Sequence, residues 1–287
     1  VVQVVGERAS EQRLLAALLS VLVLGSLAAL ALAIAAGWIY AGRALVPIRA
    51  SIERREAALR RQREFAANAS HELRTPLTVI RTSLTDLRRN QEQPVRAVGT
   101  ALEDIDAETA HLAALVDDLL LLARTDAGTI EIEMAPLDLA DVAVEAVGPL
   151  TATAAERGVT LVVDPLPAEV DGDALRLRQL VKILVDNAVA HAPAGGSVTV
   201  RVRPADGAAV LVVEDDGPGI RDEDLPHVFE RFWRADDAPS GGTGLGLAIA
   251  AWIVTRHGGR IRAGNRPEGG ARFEARIPLR RARTAGG

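Results

Sequence analysis

The sequence predicts a multidomain membrane protein: a transmembrane helix, a two-helix hairpin that dimerises as a four-helix bundle, and an α/β two-layer sandwich. Three features carry this reading. Residues 14–40 hold no charged side chain. Between 65 and 124 apolar residues recur at steps of three and four, marking one face of a helix. Beyond Gly128 the texture changes to short segments rich in Val, Ile and Thr, interleaved with helical ones.

The first segment, 1–13, is too short to fold alone and begins with Val, so it is expected to be the stump of a longer extracytoplasmic portion. Residues 14–40 exceed the ~20 residues needed to cross a bilayer. Trp38 and Tyr40 stand at the end of this run, where amphipathic rings settle among headgroups. A signal peptide or a buried core helix is the rival reading. The run is too long for a signal h-region, and no A-x-A-like site closes it cleanly. Arg43, Arg49, Arg54, Arg55, Arg60, Arg61 and Arg63 follow it, against Arg8 and Arg13 before. The positive-inside rule therefore places the C-terminal bulk in the cytoplasm, held at the cell membrane by a single pass.

Residues 41–64 read as a charged helical linker that starts after an ALVPI turn. Residues 65–126 form the hairpin. Its first helix carries Ala66, Ala69, Leu73, Leu77, Ile80, Leu84 and Leu87, with a slip near Pro76; NQEQPV (90–95) is a turn. Its second helix carries Leu102, Ile105, Thr109, Leu112, Val116 and Leu119, the spacing of a coiled-coil seam. A lone hairpin would leave such a seam half exposed, and pairing two chains covers it. In 127–280 strands are expected at 129–133, 159–163, 197–203, 209–214, 260–264 and 271–277. Helices are expected at 138–157, 173–191 (N-capped by Asp173) and 243–257. The tail 281–287 is expected to be disordered.

Composition narrows the chemistry. With no Cys among 287 residues, disulfide scaffolds, Cys-based zinc sites and thiol catalysis are excluded. A net charge of −5 gives no reason to expect nucleic acid. His111, His191, His227 and His257 show no spacing expected of a metal site.

The segment FAANASHELRTPLT (65–78) is the most informative. At 100° per residue His71 is turned about 200° from Leu73 and faces solvent. Thr75 lies one turn on along the same face. Glu72 can take the imidazole proton and leave the other ring nitrogen as a nucleophile. Pro76 removes a backbone hydrogen bond just beyond. A bare surface histidine is the bland alternative.

Here the chain resembles the sensor histidine kinases of two-component systems, whose H-box S-H-E-L-R-T-P-L-T matches Ser70–Thr78 letter for letter. The resemblance runs from about Arg63 to Leu279. It implies a dimerisation and histidine phosphotransfer domain at 65–126 and an ATP-binding domain of the GHKL type at 127–280. It makes His71 the phosphoacceptor and Glu72 the base. Thr75 becomes the residue used to dephosphorylate the partner, a response regulator.

Three further constellations fit that resemblance. Asn187 lies at the edge of a stripe formed by Leu177, Leu180, Val181, Leu184 and Ala188. Alone it reads as a satisfied structural amide; in the family's N-box it is a Mg²⁺ ligand, as suits an oxygen donor. Asp215, at the end of a strand, opens D-x-G-x-G with Gly217 and Gly219. Alone this is a turn; as a G1 box it makes Asp215 the adenine reader. The charged segment 220–240, with Phe229 and Phe232 as an F-box, leads into Gly241, Gly242, Thr243, Gly244, Leu245 and Gly246 at a helix start. Backbone N–H groups there suit an anion. The resemblance makes this a G2 box closing an ATP lid, with Arg231 and Arg234 as phosphate candidates or a solvated surface pair. Two positions depart from the family pattern: Ile183 replaces a second Asn, and Ala190 replaces a Lys or Arg. Both thin the expected phosphate and metal contacts. Two other readings remain: a GHKL-type ATPase, which would need a Glu at 183, and a kinase-impaired phosphatase or binding module.

Overall fold

The computed structural model describes residues 2–89, 95–235 and 242–280. The expected turn at 90–95 and the expected tail at 281–287 fall almost wholly outside them. The chain divides into two units, Val1–Ala66 and Ala67–Gly287.

In the first unit the backbone is helical, part of α1 (Val2–Arg89). Its segment Glu11–Trp38 is long and apolar enough to cross a membrane, by length and composition. No turn forms at ALVPI, where residues 44–48 stay helical. A single proline removes one backbone hydrogen bond, and the Ala- and Arg-rich flanks sustain the helix on both sides.

The second unit begins with the last turns of α1 and continues into α2 (Val95–Asp126). On α1 the covered positions include Ala69, Glu72, Leu73, Pro76, Ile80, Ser83 and Leu87; on α2 they include Ile105, Leu112, Leu115, Leu119 and Leu122. Both sets step by three and four, the rhythm of a hairpin's internal seam. The sequence stripe mixed this seam with a second one. Leu77 is 61% exposed and Leu102 49%, so they belong to a different face from Leu115 and Leu122, which the sequence reading passed over.

The rest is an α/β two-layer sandwich. A five-stranded sheet has the order β2-β4-β5-β7-β6, with β2 (Thr160–Pro165), β4 (Ser197–Ala205), β5 (Ala208–Asp215), β6 (Arg260–Asn265) and β7 (Ala271–Pro278). Only β2 and β4 run parallel. A small ribbon pairs β1 (Ala135–Asp138) with β3 (Glu169–Gly172). The strand expected at 129–133 does not form. Pairing starts two residues later, because Asp138 ties the ribbon down by accepting from Ala140 N and Ala168 N. The helix expected at 138–157 is split into α3 (Leu139–Val147) and α4 (Leu150–Glu156). Pro149, at the junction, has no N–H with which to continue the ladder.

The central helix is α5 (Ala174–His191), N-capped by Asp173, whose Oδ1 accepts from Arg176 N. Leu177, Leu180, Val181, Leu184, Val185 and Ala188 are fully buried. They meet the inner face of the sheet (Val198, Val200, Leu211, Val213, Phe273) and α6 (Gly246–Arg256). His257, at the end of α6, is buried. Its Nδ1–H donates to Ile253 O at 2.7 Å, and Nε2 accepts from Asp173 N at 3.0 Å. One imidazole thus joins the start of α5 to the end of α6.

Between the end of α2 and the start of α5 lies an open cavity of about 490 Å³, lined by Asp117, Asp118, Arg124, Glu131, Arg176 and Gln179 among others. Asp118 is pushed up to about 6, first by burial and then by Asp117, with Lys182 opposing.

Two expectations follow. Replacing His257 by Ala deletes both hydrogen bonds and leaves a hole, and should cost roughly 2–4 kcal/mol in urea unfolding. For Asp118 the folded value lies above the ordinary 3.8. Its contribution to stability is therefore complete at low pH and is lost as the pH rises through about 6. Asp118→Asn should then melt higher than the parent at pH 7.5, and the gap in melting temperature should close as the pH falls towards 4. An equal gap at both ends would refute the assignment.

Candidate active site

His71 stands on the exposed side of α1, with Leu73 half-buried on the other side. Thr75 is exposed one turn later, and its hydroxyl donates to His71 O at 3.4 Å. Glu72 is half-buried beside it, and Pro76, which lacks the N–H for the helical bond to Glu72 O, is buried. Helical geometry alone therefore sets His71, Glu72 and Thr75 as the sequence pattern anticipates.

A second set of residues gathers around the open edge of the sandwich. Asp215, at the end of β5, is 1% exposed. Its Oδ1 accepts from Gly217 N at 2.9 Å and Ala271 N at 3.1 Å. Burial raises its pKa, and these two amides pull it back. Gly217 is required by space: a Cβ there would lie 2.6 Å from His191 O. Gly219 is required by conformation, with φ +80°. Asn187, half-buried on α5, sits at the margin of the apolar stripe as its spacing predicts.

The glycine run reaches α6 from the other side. Thr243 Oγ1 accepts from Leu245 N at 3.3 Å, Leu245 is buried, and α6 starts at Gly246 with no side-chain cap. Its first N–H groups therefore present a positive helix end. A Cβ on Gly246 would meet Ile183 Cγ2 at 3.3 Å. Ile183 thus supplies apolar packing under the helix start. Ala190 is exposed.

Phe232 and Gly244 both take positive φ, and Phe232 N donates to Gly244 O at 2.8 Å, closing the base of the loop. Phe229 packs edge-on against Phe273, with ring centroids 6.4 Å apart. Gly242 and Arg234 are exposed, and residues 236–241, Gly241 among them, lie outside the described ones. Arg231 is placed differently from the sequence reading. Its guanidinium forks onto both Asp126 oxygens at 2.7 Å, at the end of α2, a charge-assisted pair that holds the loop to the hairpin. Asp126 lies 105 residues away in sequence, so no local signal pointed to it.

What sequence reasoning missed is the support around Asp215. Asp216 accepts from Ser197 N and Oγ at 2.8 and 2.7 Å and pairs with Arg266; the Ser197 hydroxyl first, and then Arg266, hold its carboxyl down at about 2. Ser197 opens β4 and Arg266 follows β6, so these contacts form only once the sheet brings those strands to the end of β5.

Comparison with known proteins gives two family-model matches: His Kinase A (phospho-acceptor) domain over residues 61–128, and Histidine kinase-, DNA gyrase B-, and HSP90-like ATPase over residues 172–281. The probable sensor histidine kinase TcrY of Mycobacterium tuberculosis is 40% identical over 240 residues, 83% of this chain and 50% of that protein. The solved structure of the histidine kinase AdeS of Acinetobacter baumannii matches with a TM-score of 0.59 at 25% identity, covering 73% of this chain and 98% of that one. Full-length ShkA in complex with AMPPNP matches with a TM-score of 0.56 at 28% identity, covering 77% of this chain and 46% of that one. The chain spans about half the length of the curated relatives it matches.

Proposed function

Because the chain belongs to the sensor histidine kinases of bacterial two-component systems, we propose that it moves the γ-phosphate of ATP onto its own His71 and passes it to an aspartate of a response regulator. The observation that carries this reading is His71 itself: an exposed imidazole on a helix, flanked by Glu72 and followed one turn later by Thr75, inside the segment that matches the phosphoacceptor domain. The ring nitrogen attacks the γ-phosphorus, the bond to the β–γ bridging oxygen breaks, and ADP leaves. Glu72 takes the imidazole proton. In the second step the P–N bond breaks as a carboxylate oxygen of the regulator bonds to phosphorus. Thr75 serves the opposing step, hydrolysis of the regulator's aspartyl phosphate, in which a water oxygen bonds to phosphorus as the bond to the carboxylate oxygen breaks and phosphate leaves.

On the donor side, Asp215 offers a carboxylate to the adenine amino group: Oδ1 is already held by two amides, and Oδ2 would accept from the amine. Gly217 and Gly219 let the base approach, while Gly242, Thr243, Gly244, Leu245 and Gly246 bring phosphates to the start of α6. Phe229 and Phe232 anchor the lid. Arg234 remains a phosphate candidate, and Arg231 would have to leave Asp126 to become one. The amide oxygen of Asn187 suits Mg²⁺, which when bound neutralises phosphate charge. Ile183 argues against the ATPase reading: a water-activating carboxylate is needed one turn before Asn187, and an aliphatic side chain packs under Gly246 there instead. Ile183 and Ala190 together are what the kinase-impaired phosphatase or binding module has in its favour.

Residues 14–40 would cross the cell membrane, with 1–13 outside, 41–64 as a signalling linker, 65–126 as the dimerisation and phosphotransfer domain and 127–280 as the cytoplasmic ATP-binding domain. Leu77, Leu84, Leu102, Val116 and Leu120 are each 42–61% exposed. A second copy of the hairpin would cover this stripe and complete a four-helix bundle.

The test is direct. The whole chain in lipid nanodiscs, given γ-labelled ATP and Mg²⁺, should acquire an acid-labile, alkali-stable label that His71→Ala abolishes. Glu72→Ala should slow labelling by about 10²-fold or more. Absence of label on the parent, or full labelling of His71→Ala, would sink the kinase reading.

A further inference from the structure

The turn between β6 and β7, Asn265–Gly270, lies outside every motif named above, yet it grips the D-x-G-x-G loop. Asn265 Oδ1 accepts from Ile220 N at 2.7 Å, and its Nδ2 donates to Ile220 O at 2.7 Å. The carboxamide thus pairs with a backbone unit as a neighbouring strand would. The amide orientation is fixed by those partners, since turning the group over would set donor against donor and acceptor against acceptor. Gly219, immediately before, lies so close that a Cβ there would be 2.8 Å from the same Oδ1.

The other end of the loop is held by the same turn. Asn265 pairs with Ala271 across the β6–β7 ladder, and Ala271 N donates to Asp215 Oδ1. Arg266 donates to Asp215 O at 2.8 Å. Gly270 is packed so tightly on Asp215 that a Cβ would fall 1.9 Å from its carbonyl oxygen. The loop from Gly217 to Gly219 is therefore suspended between two anchors, Asp215 and Ile220, both set by this turn. Its two glycines carry no side chains and its proline no N–H, so the loop makes few contacts of its own to hold its shape against a ligand.

We infer that Asn265 is a positioning residue for nucleotide recognition: its carboxamide fixes Gly219 and Ile220 so that the loop and the Asp215 carboxylate present one rigid edge to an adenine. The inference rests on the nucleotide-binding reading above and extends it to a residue outside the base's contacts. Side chains of similar size fail for definite reasons. Aspartate sets an acceptor against Ile220 O, and leucine offers neither bond.

Equilibrium binding of ATP and of GTP to the whole chain in nanodiscs, with hydrogen exchange at the Ile220 amide, tests it. Asn265→Ala should weaken ATP on the order of tenfold, the scale of one or two lost hydrogen bonds. It should also narrow the preference for ATP over GTP and expose the Ile220 amide, with the nucleotide-free melting temperature little changed. Asn265→Asp, close in shape, should do the same and serves if the alanine variant does not fold. Folded variants with parental ATP affinity and preference would overturn the role of Asn265. So would a fall in melting temperature with no change in either binding quantity, the mark of a merely structural amide. Binding is read without phosphotransfer, so these outcomes stand apart from labelling at His71. A parent chain that binds no ATP would overturn the nucleotide reading itself.

Discussion

The water-free face of α5 against the five-stranded sheet is the constraint on which the rest of the sandwich depends. Six of its side chains are fully buried, opposite an inner sheet face that is equally closed. Each such burial contributes roughly 1.5–3 kcal/mol relative to exposure, and none of these positions tolerates a polar group without a partner. With that face fixed, the rotation of α5 about its axis is fixed too. Asn187 has no freedom to turn inward or fully outward, and it stays at the margin. Ile183, four residues earlier, is held against the start of α6.

Polar joints then lock the edges that the apolar core cannot specify. Hydrophobic contact sets how far apart two layers sit but not their register. His257 supplies register between α5 and α6 by bonding two backbone groups on separate elements. Asp215 does the same between β5, its following loop and β7. Its carboxylate is costly to bury, and the raised pKa expresses that cost. A group kept ionisable in such a place is the kind of feature that binding sites retain. On the outer face of the sheet, Arg201, Glu214, Arg272, Glu274 and Arg276 form a ladder of ion pairs in which the buried Glu214 carboxylate is paired by Arg201 and Arg272.

The hairpin follows a different logic. Its internal seam closes around Leu115 and Leu122, while a second apolar stripe through Leu77, Leu102 and Leu120 stays exposed among the described residues. His71 belongs to neither stripe, so packing leaves it accessible. Arg231 and Asp126 tie the base of the loop before α6 to the last turn of α2. That loop and the hairpin are in this way joined by a bidentate pair.

The sequence by itself determined whatever depends on short-range spacing. His71, Glu72 and Thr75 occupy their faces because a helix turns 100° per residue. Asp173 caps α5, and Asn187 sits at the stripe's edge, for reasons legible within one or two turns. The positions of the five sheet strands were readable from Val- and Ile-rich runs; their order in the sheet was not. The tertiary structure alone decided what depends on chain segments far apart. The β1–β3 ribbon forms because Asp138 reaches Ala168, and Arg231 selects Asp126. Asn265 finds Ile220 across 45 residues. A hydrogen bond of that kind leaves no periodicity and no local propensity in the sequence, since its two partners meet only after the sheet has set their positions.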